Sequence, residues 1–237
     1  MRKILLWLGA ILILLPTAGC AKSPNPPVGG NDSSLALPTP LYDIQTSVEQ
    51  ALQARRSVRA YSLEPLTLAE VSQLLWATQG LTHPEGLRTA PSAGALYPLD
   101  IYLLAGNVMG LPAGVYHYQP RDHMLILIGA GDKHQDLFEA ALRQSPVKDA
   151  AIVFVISAVY ERTTGKYGQR GIRYVHMEVG HAAQNVYLQA ESLALGTVFI
   201  GAFHEDEVKA ILQMSEEEVP LGLMPVGRKL HRDEETP

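Results

Sequence analysis

The chain has 237 residues, 24 acidic against 19 basic side chains and a formal net charge of −5. That is length enough for one sizeable core and the wrong sign for a protein that neutralises a nucleic-acid backbone. Hydrophobic residues at 47% and charged residues at 18% are an ordinary globular balance, which excludes wholesale disorder and a multi-span membrane protein, while the single cysteine, Cys20, excludes a disulfide scaffold, a Cys-based zinc site and a Cys-ligated iron–sulfur cluster within the chain.

At the N-terminus, Arg2 and Lys3 precede an apolar run from Ile4 to Leu15, and Pro16-Thr17-Ala18-Gly19 supplies small residues before Cys20. The alternative, an uncleaved membrane anchor, is disfavoured because the run is shorter than the ~20 residues a membrane span needs. The arrangement resembles a bacterial lipoprotein signal, which implies removal of residues 1–19, acyl chains on Cys20, and anchoring in the cell envelope, facing the periplasm if the organism has an outer membrane. From residue 20 to about 40 the composition is rich in Pro, Gly, Ser and Asn without apolar periodicity and predicts a flexible tether. The acidic end, 232–237, predicts a frayed tail.

Between these, residues 41–231 predict one folded domain. Helix is expected at 46–54 and at 67–79, where Thr67-Leu-Ala-Glu70 reads as a capping box and Gly80 as a stop. Apolar, β-rich runs follow at 99–105, 114–118 and 123–128, then a helix at 134–144 that ends before Pro146. The run 151–157 is apolar on both faces and predicts a central strand. The longest helix is expected at 174–195, with Gly180, Ala182 and Ala183 allowing close packing against another helix or subunit; a strand at 197–201, a helix at 205–213 and a strand at 223–228 complete an α+β pattern.

Several clusters carry chemistry. Arg55-Arg56-Ser57-Val58-Arg59 places three guanidinium groups and a hydroxyl within five residues, a pattern that suits a phosphate and equally a solvated basic turn. Pro225-Val226-Gly227-Arg228-Lys229 is a second basic spot where Gly227 permits close backbone approach and Arg228 could complete a phosphate cradle. Pro91-Ser92-Ala93-Gly94-Ala95-Leu96-Tyr97-Pro98 is a small-residue run suited to a flat ring or to a simple turn, and Gly196 to Phe203 reads as a buried strand or a place of backbone approach. Glu178-Val-Gly-His181 is one Glu-x-x-His step of a di-iron carboxylate site, but no second copy exists. His176, Glu178 and His181 therefore read as interface or supporting polar groups, and no metal site is expected. No zinc-hydrolase motif, nucleophile elbow or phosphate-binding Walker loop is present.

Taken in order, Arg-Arg-Ser-x-Arg, Pro-Ser-x-Gly-x-Leu-Tyr-Pro, Gly165-Lys-Tyr-Gly-x-Arg-Gly-x-Arg-Tyr174, Gly180-His181-x-x-Gln184-Asn185 and Gly196-x-x-x-Ile-Gly-Ala-Phe203 resemble the nitroreductase superfamily, and more narrowly its SagB-type branch of azoline-oxidising dehydrogenases. The resemblance spans about 46–229. It implies a nitroreductase-like α+β fold with a mixed, mainly antiparallel sheet flanked by helices, in a homodimer that holds FMN at its interface. By position it implies that Arg55, Ser57 and Arg228 hold the phosphate and ribityl chain with Arg56 nearby, and that Arg59 sits near N1 and the C2 carbonyl of the flavin. Ser92, Gly94 and Ala95 would line the ring from the other subunit, and Ile200, Gly201 and Ala202 would approach it through their backbone. Ala95 stands where many relatives carry Asn.

Lys166 and Tyr167 match a Lys-Tyr pair assigned to proton abstraction in the azoline-oxidising members. A Lys serves as a base only where desolvation or neighbouring positive charge lowers its pKa, and Arg162, Arg170 and Arg173 could supply that charge. Otherwise the pair is an exposed loop between strand and helix. The resemblance thus implies an FMN-dependent oxidoreductase, lipid-anchored in the envelope, that moves hydride between flavin N5 and a small or peptide-derived substrate. The alternative is an anchored flavin- or ligand-binding protein without turnover.

Overall fold

The computed structural model describes residues 33–43 and 45–230. Cys20, the signal expected at 1–19 and the tail at 232–237 lie outside the described residues. In chain order the elements are β1 (Ser34–Ala36), α1 (Val48–Ala54), β2 (Leu66–Thr67), α2 (Leu68–Gln79), β3 (Leu99–Ala105), β4 (Val108–Met109), β5 (Gly114–Gln119), β6 (Met124–Ala130), α3 (His134–Ala140), α4 (Ser145–Asp149), β7 (Ile152–Val159), α5 (Glu161–Tyr167), α6 (Arg170–Ser192), β8 (Leu195–Thr197), α7 (Glu205–Leu212) and β9 (Glu218–Arg228).

Seven strands form one sheet in the order β1-β6-β5-β3-β7-β9-β8, and every neighbouring pair is antiparallel. The two-residue β2–β4 pair is parallel and separate. β7 lies inside the sheet between β3 and β9, and all eight of its residues are buried, as its doubly apolar sequence requires. On one side of the sheet Leu74 and Leu75 of α2 and Val175, Ala182 and Val186 of α6 join the core built on Leu103, Phe154 and Met224. On the other, Leu137 of α3, Val147 of α4 and Val208 and Leu212 of α7 join Leu104, Val153, Val155 and Leu223. The fold is therefore α+β, a mainly antiparallel sheet flanked by helices.

Four local differences from the sequence reading have physical causes. Ser34–Ala36, inside the span expected to be tether, pair with Met124–Ile126. The helix expected at 134–144 stops at Ala140, because Leu142 and Arg143 turn left-handed with φ of 55° and 57°. Pro146 then sits in the first turn of a new helix, where its missing N–H costs nothing. The long helix runs from Arg170 to Ser192, four residues earlier at its start than expected. Lys166 and Tyr167 lie on the helix α5 and not in a loop. Two threonines and a glycine give α5 low helical propensity, but Thr163 is buried, and a Cβ on Gly171 would come within 2.9 Å of the Thr164 backbone. Packing of α5 against the start of α6 overrides propensity.

Candidate functional site

The first cluster forms where α1 ends. The Arg55 guanidinium lies 5.2 Å from the centre of the Tyr187 ring of α6, a cation–π contact. The Ser57 hydroxyl is 3.1 Å from the Tyr187 hydroxyl, and the same hydroxyl accepts the backbone N–H of Phe199 at 2.8 Å. Val58 N–H donates to the Thr197 carbonyl, so the Arg-Arg-Ser-x-Arg turn lies against the end of β8. Gly196 makes that approach possible, since a Cβ there would overlap Val58 at 2.6 Å. Ile200 is buried and exchanges both backbone hydrogen bonds with Leu223, while Gly201 and Ala202 are exposed. The turn, Tyr187 and the strand leading to Ile200-Gly201-Ala202 thus belong to one place.

Arg56 caps the end of α1 through the carbonyls of Gln53 and Arg55. Among the described residues, no carboxylate pairs with Arg55, Arg56 or Arg59. Three guanidinium charges without counter-ions beside a hydroxyl are a fit for an anionic group such as a phosphate.

Arg228, expected to complete the phosphate cradle, differs from these three in having acidic partners. Its Nη1 and Nη2 each lie 3.0 Å from an oxygen of Glu70, and Glu64 approaches Nε at 3.7 Å. Glu70 thus fills the fork, and Glu64 flanks it. Lys229 is likewise held by Glu191 at 2.7 Å.

The second cluster joins the small-residue run to α5. Gly94 and Ala95 adopt left-handed φ of 67° and 53° and are exposed. A Cβ on Gly94 would stand 2.7 Å from the Tyr167 hydroxyl and 3.0 Å from Lys166 Nζ, so the polar ends of both side chains converge on that backbone. Lys166 Nζ lies 5.4 Å from the Tyr167 ring centre, and Tyr174 meets the ring edge-on at 5.2 Å. Lys166 is exposed. Arg162, one of the arginines expected to surround it, is itself paired with Asp100 at 2.7 Å.

Behind this run lies a buried polar network that sequence reasoning missed. Ser92 Oγ accepts the Tyr97 N–H at 2.9 Å. Arg88 stacks 4.7 Å over the Tyr97 ring and donates to Gln79, whose amide reaches Glu178 at 3.5 Å. Burial raises the Glu178 carboxyl above its ordinary value, against the opposing pull of Ser92, Gln79 and Arg88. Glu178 and His181 do not converge: the first is buried and the second exposed.

The two clusters sit toward opposite ends of α6. Tyr187 is about 25 Å along the axis from Arg170 at about 1.5 Å per residue, and Lys166 and Tyr167 precede Arg170. The outer face of α6 between them carries exposed Ile172 and Met177 and Gly180, beside which nothing lies within 4 Å. Ala182 and Ala183 instead face the chain's own core.

The model of the nitroreductase family matches residues 52–228. A nitroreductase from Methanocaldococcus jannaschii is 50% identical over 202 residues, covering 85% of this chain and 99% of that protein. The microcin B17-processing protein of Escherichia coli is 30% identical over 138 residues, covering 55% of this chain and 50% of that protein. Among solved structures, a nitroreductase from Ralstonia eutropha superposes with a TM-score of 0.72 at 27% identity, over 88% of this chain and 95% of that one. With the sheet order, the Arg-Arg-Ser-x-Arg turn and the small-residue run in place, the chain belongs to the nitroreductase family.

Proposed function

We propose that the protein is an FMN-dependent oxidoreductase of the SagB type, acting as a homodimer on a small or peptide-derived substrate. The observation that carries this reading is the convergence of Lys166 and Tyr167 on the left-handed backbone of Gly94, far along α6 from an arginine cluster that pairs with no carboxylate among the described residues. A two-fold axis through the outer face of α6 sets two copies antiparallel. The arginine cluster of one copy then meets the Lys-Tyr cluster of the other, which the separation along α6 forbids within one chain. Exposed Ile172, Met177 and Gly180 suit such a contact.

The residues fit FMN as follows. Arg55 and Ser57 hold the phosphate end, with Tyr187 fixing both, and Arg59 is free to face developing negative charge on the ring. Arg56 adds charge nearby. Gly94, Ala95, Gly201 and Ala202 present exposed backbone without bulk, the surface a flat ring needs. When bound, FMN supplies a two-electron acceptor at N5 for a hydride leaving substrate carbon. Lys166 Nζ takes the proton from the neighbouring atom, and Tyr167 orients it. Contact with a second copy and with substrate supplies the desolvation that an exposed Lys otherwise lacks for work as a base.

A peptide-derived substrate is supported by the microcin-processing relative, whose name records peptide processing. The test is anaerobic mixing of the FMN-loaded protein with a thiazoline-containing peptide. Bleaching of the flavin band by wild type, and its slowing by Lys166→Ala, are expected. A flavin that dithionite bleaches and the peptide does not would refute the SagB-type assignment and leave the family one standing. Lipid anchoring through Cys20 in the cell envelope is proposed on the N-terminal pattern alone. Membrane-fraction wild type and a soluble Cys20→Ala variant are the expected result.

A further inference from the structure

Away from both clusters, Asp100, His117 and Glu218 bring two carboxylates and one imidazole together, with ligand atoms all within 4.8 Å of one another. They come from three strands. Asp100 lies two residues before Tyr102 on β3, Tyr102 is paired with His117 of β5, and Glu218 opens β9 opposite Val159 of β7. Strands hold such a constellation more rigidly than loops do. The group opens into a cavity of about 570 Å³ that Glu161, Arg162 and Glu217 also line.

One atom here is unexplained. His117 Nε2 is shielded from solvent and has no hydrogen-bond partner among the described residues. Asp100 Oδ1, its nearest carboxylate oxygen, is 3.8 Å away, too far for a hydrogen bond. The other ring nitrogen, Nδ1, lies 2.8 Å from Gln119 Nε2, and turning that amide end for end, a choice of assignment, brings Oε1 to the same place. With the Gln119 oxygen accepting Nδ1–H, Nε2 turns a lone pair toward the two carboxylates. Metal-bound imidazoles are held in this way, by a second partner on the far nitrogen.

Both carboxylates are supported similarly. Tyr102 Oη donates to the Glu218 oxygens at 3.1 and 3.0 Å, and Ser215 N–H donates to Oε2 at 3.0 Å. Arg162 Nη2 holds Asp100 Oδ2 at 2.7 Å, leaving Oδ1 facing His117. Each carboxylate keeps lone pairs to spare.

We propose that Asp100, His117 and Glu218 form a binding site for a divalent transition-metal ion, Zn²⁺ by its donor set, with an open position toward the cavity. One imidazole excludes the all-oxygen preference of Ca²⁺ and Mg²⁺, and three protein ligands plus water is a common zinc arrangement. Bonds of about 2.0–2.2 Å need the ligand atoms to close in by about an ångström. The site does not depend on the flavin reading.

The test is equilibrium dialysis of the untagged, chelator-stripped full chain against Zn²⁺ at pH 7.5, with zinc counted by mass spectrometry and thermal unfolding followed in parallel. One equivalent per chain and a zinc-dependent rise in Tm are expected for wild type. In His117→Ala and in Glu218→Gln both should be lost, with affinity weakened by more than the roughly 10–100-fold that removal of an outer partner costs. Two variants guard against one failing to fold, and zinc held elsewhere, at Cys20 or His134, would be common to all. Folded wild type without a bound equivalent, or equal zinc in wild type and both variants, would overturn the site.

Discussion

Arg228 and Glu70, 158 residues apart, form a two-pronged ion pair with both contacts at 3.0 Å. Glu70 Oε2 also accepts the Thr67 N–H and hydroxyl at 2.7 and 2.9 Å. One carboxylate thereby closes the capping box of α2 and fastens the end of β9 to it. Arg228→Ala is expected to lower stability by roughly 1–3 kcal/mol, the range for losing a charge-assisted bond at a partly buried site. FMN retention by the folded fraction should be unchanged. Urea unfolding beside flavin occupancy checks both; selective loss of flavin would return Arg228 to the phosphate site.

Among the described residues Arg55 pairs with no carboxylate, and the Tyr187 ring lies beneath it. Arg55→Ala should therefore weaken FMN binding by about 10–100-fold, as losing a charge-assisted contact of about 1.5–3 kcal/mol does, with little change in Tm of the flavin-free protein. Fluorescence titration with FMN measures the first and calorimetry the second.

Gly94 joins a left-handed φ of 67° to two polar groups, the Tyr167 hydroxyl and Lys166 Nζ, that an added Cβ would meet at 2.7 and 3.0 Å. Gly94→Ala adds backbone strain of order 1 kcal/mol and displaces the Tyr167 hydroxyl or Lys166 Nζ. Misplacement of about an ångström costs on the order of a hundredfold in rate. The variant should fold and turn over slowly. Wild-type turnover would remove this contact from the mechanism.

Stability should fall as the pH drops below about 6.5. Burial holds both His123 and His134 below their ordinary value of 6.5, against opposing bonds from Pro38 and Asp132 respectively. The unfolded chain then binds more protons between the folded pKa values and 6.5, so stability rises with pH across that window and is lost on acidification. His123 is wedged between Ser72 at 2.7 Å and Tyr118 at 2.8 Å. Urea midpoints at pH 7.5 and 5.5 should differ in wild type and differ less in His123→Gln; equal slopes would contradict this.

Local patterns were legible in the sequence where neighbouring residues decide the outcome. The Thr67/Glu70 capping box, the doubly apolar β7 and the Arg-Arg-Ser-x-Arg turn all lie where periodicity and composition put them. What stayed hidden depends on long-range pairing. Nothing near Ser57 points to Tyr187, 130 residues away, and nothing near Gly227-Arg228 points to Glu70 as the partner of its guanidinium. Likewise α5 forms against its own propensity because Gly171 lets it pack. Asp100, His117 and Glu218 carry no spacing motif, since three strands of a sheet bring them together.

The central claim is that this chain holds a redox-active flavin through an arginine cluster that pairs with no carboxylate among the described residues. The most direct measurement is the visible spectrum of the purified full chain after loading with FMN and desalting. The account expects about one flavin per chain, bleached by dithionite, restored by air and strongly reduced in Arg55→Ala. A folded, dimeric and colourless protein would contradict it and leave an anchored binding protein without turnover.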